Sequence, residues 1–243
     1  MKSAAGIIPA RYRSTRFPGK PLAPILGKPM VQHVYERARQ ARGLQRLIIA
    51  TDDKRIFSAA RNFGAEAMMT SSGHISGTER AAEAADSIPC DILINIQGDE
   101  PLLNPDWVDK LVQTLQDESI PAATLRRRGC GPESYLDTNC VKIIIDKNDN
   151  ALYFSRAPIP YDSHSEYWIH IGIYGFQKDF LKTFTRFPPS YLEKKERLEQ
   201  LRILENGYPI KTVETSDAGL SVDTPQDIIK VEKLLKTDLK KNE

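Results

Sequence analysis

Between Pro9 and Leu22 the chain reads PARYRSTRFPGKPL, which puts Arg11, Arg13, Arg16 and Lys20 within ten positions. Charged donors suit phosphate oxygens, and a backbone rich in Pro and Gly after a buried strand brings main-chain N–H groups close to an anion as well. The stretch is a candidate triphosphate site. It is not a P-loop, because Gly19-Lys20 is followed by Pro21 and Ser14 stands where the first glycine would be. Read from charge alone, a solvated basic loop remains open. Two further segments carry hard oxygen ligands. In IQGDEP, Asp99 and Glu100 follow a buried run, where carboxylates at a strand end would face a ligand and suit Mg²⁺; an ordinary acidic turn before Pro101 reads the same way. In SVDTPQD, Asp223 precedes a helix start, so it is either a ligand or a helix cap.

The elements that must position these residues alternate through the first half. AAGIIPA, RLIIATDD, AEAMMT and DILINIQGD read as strands, and PMVQHVYERARQAR, DKRIFSAARNF, SGTERAAEAADSI and PDWVDKLVQTLQ read as helices between or after them. Ser76 with Glu79 three residues on has the form of a capping box, and Gly64 a C-cap. Such alternation predicts an α/β fold: a doubly wound, mostly parallel sheet with ligands at the carboxyl ends of its strands. After about Ala122 the rhythm changes. VKIIID and ALYFSR joined by KNDN predict a hairpin, and IHIGIYGF a further strand. SYLEKKERLEQLRILEN predicts one charged helix ending at Gly207, PIKTVETS a strand, and Pro225 opens a last helix. The chain is expected to form a single domain, 1–243, with a smaller antiparallel insertion over about 122–190.

Composition narrows the class. The 243 residues hold 34 basic and 32 acidic side chains, a net charge of +2, which argues against a general nucleic-acid or membrane-surface binder. The distribution is uneven: six Lys or Arg precede the first acidic residue, Glu36, so a local anion site is expected. Cys90, Cys130 and Cys140 form no CxxC pair and no zinc spacing with the four histidines, which fits a reducing, cytoplasmic setting. No apolar run approaches about 18 residues, so neither signal peptide nor membrane span is expected. The only G-x-G, Gly129 to Gly131, lacks the rest of a dinucleotide fingerprint.

In order along the chain, IIPARYRSTRFPGKPL, ATDD, SGTER, NIQGDEP, ALYFSRAPIPY, HIGIYGF, LEQLRIL and VDTPQD resemble the motifs of the 3-deoxy-manno-octulosonate cytidylyltransferase (CMP-Kdo synthetase) family, over nearly the whole chain. The resemblance implies the nucleotidyltransferase version of the fold, a homodimer formed through the antiparallel insertion, CTP and Kdo as substrates, Mg²⁺ as cofactor, and release of pyrophosphate in lipopolysaccharide synthesis. By position it places Arg11, Ser14, Arg16 and Lys20 around the CTP phosphates, and Ser76, Gly77, Thr78 and Arg80 along the base and sugar. Asp99 and Asp223 correspond to the magnesium ligands, and Arg11, Lys20, Asp99 and Asp223 to the catalytic set. Gln97, Arg156, His170, Tyr174, Glu199 and Gln200 correspond to the sugar-acid pocket, with Arg156 suited to a carboxylate because a guanidinium offers two parallel hydrogen bonds. Taken singly, Tyr174 alternates with core Ile173, Glu199 has Lys195 and Arg202 within reach on a helix, and His170 is a strand-end histidine. Three places depart from the family pattern: Ser163 replaces an arginine, RRRGCG an apolar run, and Asp137-Thr138-Asn139 the motif NPN. Ser163 leaves open another acceptor, 8-amino-Kdo or a sialic acid. A non-catalytic nucleotide sensor on the same fold is the reading from a different class.

Overall fold

The computed structural model describes residues 1–13, 17–216 and 219–241, so Ser14 and Arg16 lie outside the described residues. Two compact units form. One comprises Ser3–Asp109 with Gly219–Glu243, the other Lys110–Ala218 with Met1–Lys2. The antiparallel stretch expected over 122–190 lies within the second, which extends further on both sides.

The first unit holds β1 (Ala4–Ala10), the short pair β2 (Pro24–Ile25) and β3 (Lys28–Pro29), α1 (Met30–Ala38), β4 (Arg46–Thr51), α2 (Lys54–Asn62), β5 (Glu66–Met69), α3 (Gly77–Asp86) and β6 (Ile92–Asn95). Helix α4 (Pro105–Thr114) ends this run. The strands lie in the order β6-β1-β4-β5 and every pairing is parallel. Parallel strands covered on both faces read as continuous apolar runs, and here Ile7, Ile8, Ile48, Ile49, Ile92, Leu93 and Ile94 are all buried. Helix ends follow their predicted signals. Asp53 Oδ1 accepts from Arg55 N (2.9 Å) to cap α2, which stops before Gly64 at φ +82°, a conformation that favours glycine.

The second unit holds β7 (Ala122–Gly129), α5 (Pro132–Leu136), β8 (Lys142–Ile145), β9 (Ala151–Ser155), β10 (Tyr167–Gln177), α6 (Lys178–Phe184), α7 (Tyr191–Glu196), α8 (Leu201–Glu205) and β11 (Ile210–Glu214). Here β10 pairs antiparallel with β7 and β8, β8 forms the predicted hairpin with β9, and β11 runs parallel to β7. The last helix, α9 (Pro225–Lys241), belongs to the first unit, where Val222, Val231 and Leu235 pack with Ile25 and Met30.

Two sequence expectations change. The RRRGCG segment, read as a departure from pattern, continues strand β7 through Gly129. Arg126 is buried there, donating to Thr212 O (3.0 Å) and pairing with Asp149 (2.7 Å), while Trp168 lies between the guanidinium groups of Arg126 and Arg128. A strand with three arginines in a row, one of them buried, carries no apolar alternation, so period-two reading misses it. The predicted single helix over 190–206 is two short ones, α7 and α8, separated at Arg197, whose φ is +56°. At roughly 100° per residue, the buried residues Leu198, Gln200, Leu201, Arg202 and Ile203 would lie all round a straight helix, so no single face could bury them.

The break is stabilised by Arg202. Its guanidinium grips Glu193 through two bonds (2.8 and 2.9 Å), donates to Phe187 O (3.1 Å) and lies over the Phe184 ring. Removing one partner of such a buried pair strands the other, so Arg202→Met is expected to cost about 3 kcal/mol. Urea unfolding of the variant against wild type measures it.

Candidate active site

Asp99 stands four residues beyond β6, at the carboxyl end of the parallel strands. The turn that carries it needs glycine at 98, because a Cβ there would lie 2.9 Å from the Pro9 carbonyl oxygen. Asp99 O accepts from Val222 N (2.8 Å), and this bond brings the start of the α9 segment beside the turn. Lys20, in a 3₁₀ turn over Lys20–Leu22, then joins the two. Its Nζ lies 2.5 Å from Asp99 Oδ2, 2.9 Å from Val222 O and 3.7 Å from Asp223 Oδ1. The three residues are far apart in sequence, and the two carboxylates share one ammonium.

At the start of α9 the side chain of Asp227 accepts from Asp223 N (3.2 Å), Thr224 N (3.0 Å) and Thr224 Oγ1 (2.9 Å). Burial pushes the Asp227 carboxyl up, but the bonds from Lys230, Thr224 and Asp223 outweigh it and hold the group down at about 2. Of the pair in IQGDEP, only Asp99 faces the site. Glu100 is buried, its Oε2 without a partner among the described residues, and burial followed by the neighbouring Asp99 charge pushes its pKa up to about 8.

Around Lys20, Asp99 and Asp223 lies a cavity of about 250 Å³ lined by Arg11, Ser76, Gly77, Arg80 and Gln97 among others. Arg11 is exposed. Ser76 caps α3, accepting from Glu79 N (3.1 Å), while the Glu79 carboxylate accepts from Ile75 N (2.9 Å), one residue earlier than the expected reciprocal partner. Thr78 is buried and does not line the cavity; its hydroxyl accepts from Asn95 Nδ2 (3.3 Å). Arg80 reaches the cavity wall with a guanidinium already engaged by Thr70, Ser71 O (3.3 Å) and Asp52 (3.4 Å), so it shapes the wall more than it supplies free charge. Sequence reasoning missed His74, which also lines the cavity and hydrogen-bonds Glu83. Its position two residues before the Ser76 cap was the only available signal. Among the described residues no group of three or more His, Cys, Asp or Glu could hold a metal unaided. Two carboxylates converging on one cation fit Mg²⁺ all the same, since that ion typically takes one or two carboxylates and completes its shell with water and substrate phosphate.

Of the six residues that the resemblance assigns to a sugar-acid pocket, five lie in the second unit and Gln97 lies in the cavity wall of the first. His170 and Tyr174 sit either side of a bulge in β10, and a bulge re-aims side chains. The register shift lets His170 Nε2 reach both Tyr174 Oη (2.9 Å) and Thr124 Oγ1 (3.0 Å), with Phe154 edge-on to the imidazole. Thr124 in turn donates to Ile173 O (2.8 Å). Burial pushes the Tyr174 hydroxyl well up and the His170 imidazole down to about 3. Arg156 follows β9 with two guanidinium nitrogens on backbone carbonyls, Nε on Glu196 O (3.0 Å) and Nη1 on Thr138 O (2.9 Å). Glu199, in the turn between α7 and α8, lies 3.3 Å from the buried Arg202, and Gln200 is buried with Nε2 unpartnered among the described residues. At Ser163 the hydroxyl closes a turn on the Glu166 carbonyl.

The depressed His170 value has a consequence for stability. Between about pH 3 and 6.5 the unfolded chain binds a proton that the native ring refuses, so the native state's advantage is full above 6.5 and is lost as pH falls through that window. His170→Gln removes this dependence. Its urea midpoint is expected to fall less than that of wild type between pH 7 and pH 4, and equal slopes would contradict the assignment.

The comparisons with known proteins agree with this geometry. A cytidylyltransferase family profile matches residues 5–215. The chain is 48% identical to a 3-deoxy-manno-octulosonate cytidylyltransferase of Solibacter usitatus, with 96% of this chain and 95% of that protein covered. It is 49% identical to the protein of the same name from Syntrophobacter fumaroxidans, covering 96% and 97%. A solved structure of CMP:2-keto-3-deoxy-manno-octonic acid synthetase complexed with CTP superposes with a TM-score of 0.93 at 43% identity, over 97% of this chain and 99% of that one. A cytidylyltransferase from Leptospira borgpetersenii shares the fold at a TM-score of 0.65 and 16% identity, over 98% of this chain and 88% of that one. By family profile, near-full-length identity and superposition together, the chain belongs to the 3-deoxy-manno-octulosonate cytidylyltransferase family.

Proposed function

We propose that this chain transfers CMP from CTP to the anomeric hydroxyl of Kdo, giving CMP-Kdo and pyrophosphate, with Arg11, Lys20, Asp99 and Asp223 as its catalytic residues. The observation that carries the assignment of roles is the meeting of Lys20, Asp99 and Asp223 at the mouth of the parallel strands, beside a cavity walled by Arg11, Ser76 and Gln97. The acceptor oxygen forms a bond to the α-phosphorus as the bond from that phosphorus to the β-phosphate oxygen breaks, and the hydroxyl proton leaves to solvent. Such transfers depend chiefly on positioning and on neutralising charge. Arg11 and Lys20 supply positive charge where pyrophosphate accumulates its negative charge. Asp99 and Asp223 would hold Mg²⁺, which when bound screens the phosphate oxygens and lowers the acceptor hydroxyl's pKa.

On the acceptor side, Arg156 is assigned to the sugar carboxylate, with Gln97, His170, Tyr174, Glu199 and Gln200 as further contacts. A neutral imidazole and a protonated phenol side by side offer donors and acceptors to hydroxyl groups without adding charge. A homodimer and a cytoplasmic setting complete the reading, the first from the family resemblance and the second from three free thiols at Cys90, Cys130 and Cys140. Among the described residues no helix is long and apolar enough to cross a membrane.

Pyrophosphate release from CTP with Mg²⁺ and a panel of sugar acids tests the reading. Release with Kdo is expected, and it should stop on chelation and return with added Mg²⁺. No release with any acceptor would overturn the enzymatic reading, and release with 8-amino-Kdo or a sialic acid alone would overturn Kdo as acceptor. Asp99→Asn is expected to cut kcat by about 100-fold or more, the scale of removing one preorganised charge contact, while the thermal midpoint stays close to wild type. A large fall in that midpoint would instead mark Asp99 as structural.

A further inference from the structure

Lys142 is fully buried, an unusual place for an ammonium, and its Nζ donates to three backbone carbonyls: Asp137 O (2.8 Å), Cys140 O (2.6 Å) and Arg156 O (2.9 Å). The same Arg156 is held from its other side by Glu196, whose Oε2 accepts from Arg156 N (2.9 Å) and whose backbone oxygen accepts from Nε (3.0 Å). Glu196 is itself fixed, its Oε1 accepting from Ser155 Oγ (2.9 Å), and Thr138 O takes Nη1 (2.9 Å). Among the described residues every polar group of Arg156 is thus engaged except Nη2 and the second hydrogen of Nη1, and the side chain keeps partial exposure. Three guanidinium hydrogens are therefore open, on the two nitrogens that can donate together to a carboxylate.

We propose that Lys142 and Glu196 are positioning residues that preset the Arg156 guanidinium for the carboxylate of the acceptor sugar acid. The inference rests on the assignment of Arg156 made above. An arginine in solution gives up side-chain freedom when it binds an anion, and here that loss is already incurred in the free protein. The loop supplying three of the carbonyls, Asp137 to Cys140, includes the Asp-Thr-Asn segment in which the chain departs from its family's motif. Asp137 Oδ1 shapes it by accepting from Asn139 N (2.8 Å); the Asp137 carbonyl, which also accepts from Cys140 N (3.2 Å), joins those of Thr138 and Cys140 around the two cations. A purely structural staple would tie this loop to β8 without also engaging Nε and Nη1 of a partly exposed arginine.

Steady-state kinetics of the full chain with both substrates varied separates the possibilities. Lys142→Met and Glu196→Ala are each expected to raise KM for Kdo by about tenfold or more, the scale of misplacing a positioned group, with KM for CTP changed less than twofold. Glu196→Gln should restore the Kdo value, because an amide can accept from Arg156 N and donate to Ser155 Oγ. If Lys142→Met does not fold, the Glu196 pair carries the test unaided. Adding Glu196→Ala to Arg156→Ala should produce no further rise, since the effect passes through the guanidinium. Equal changes in both KM values, no change for Kdo, or full additivity with Arg156→Ala would each overturn the proposal. Arg156→Ala without effect on KM for Kdo would overturn the assignment of Arg156 itself.

Discussion

One ammonium ion ties the site together. Lys20 Nζ, 2.5 Å from Asp99 and 3.7 Å from Asp223, is the point at which residues near positions 20, 99 and 223 meet, and the Val222 carbonyl at 2.9 Å fixes it further. Two carboxylates converging in a partly enclosed site repel one another, and a shared cation offsets that repulsion while no substrate is present. The arrangement also shows that Lys20, at the end of the basic stretch, is not simply solvated. Its last cation is committed to the acidic pair, so the loop's end is held against the strand edge from which Asp99 projects. On the proposed reading, a triphosphate and its metal would exchange partners here within a set of charges already arranged, leaving little reorganisation for the moment of reaction.

The protein uses the same residue types for two opposite purposes, and their neighbours decide which. Arg11 and Lys20 stand at a cavity, where on the proposed reading their charge would reach incoming phosphate. Arg126, Lys142 and Arg202 are buried, and each is surrounded by backbone carbonyls, a carboxylate or both. Carbonyl groups are an economical surround for a buried cation because they are needed as acceptors anyway and carry no net charge to desolvate. In this way the second unit fixes its irregular connections: β7 to β11 through Arg126, the 137–140 loop to β9 through Lys142, and α7 to α8 through Arg202.

How much of this was legible follows the same division. The parallel strands are continuous apolar runs with capped helices between them, so their order of appearance could be read directly. The anion loop and Asp99 could be read because charged residues next to a strand end have few structural uses. What could not be read was anything decided by an acceptor distant in sequence. Strand β7 hides behind three arginines because the partners that make Arg126 tolerable, Thr212 and Asp149, lie 86 and 23 positions away. The split of the 190–206 helix depends on where Arg202 finds Glu193, and the bonds that Asp227 accepts depend on the side-chain geometry at the start of α9. Glu100 beside Asp99 shows the limit most sharply, since adjacent carboxylates in one motif differ only in the direction each side chain takes.

That difference also says something about how the site keeps its charge balance. Were Glu100 to face the cavity as a carboxylate, Lys20 would be shared among three anions and the metal position would carry an excess of negative charge that a triphosphate would have to overcome. Turned inward, Glu100 is held neutral near physiological pH by burial first and by the Asp99 charge second, so the turn contributes one negative charge at the mouth. Gly98 lets the turn approach the Pro9 carbonyl, and the Val222 bond to Asp99 O fixes the backbone between the two acidic residues' opposite directions. The backbone of this turn, more than the identity of its acids, therefore sets how many charges the nucleotide meets.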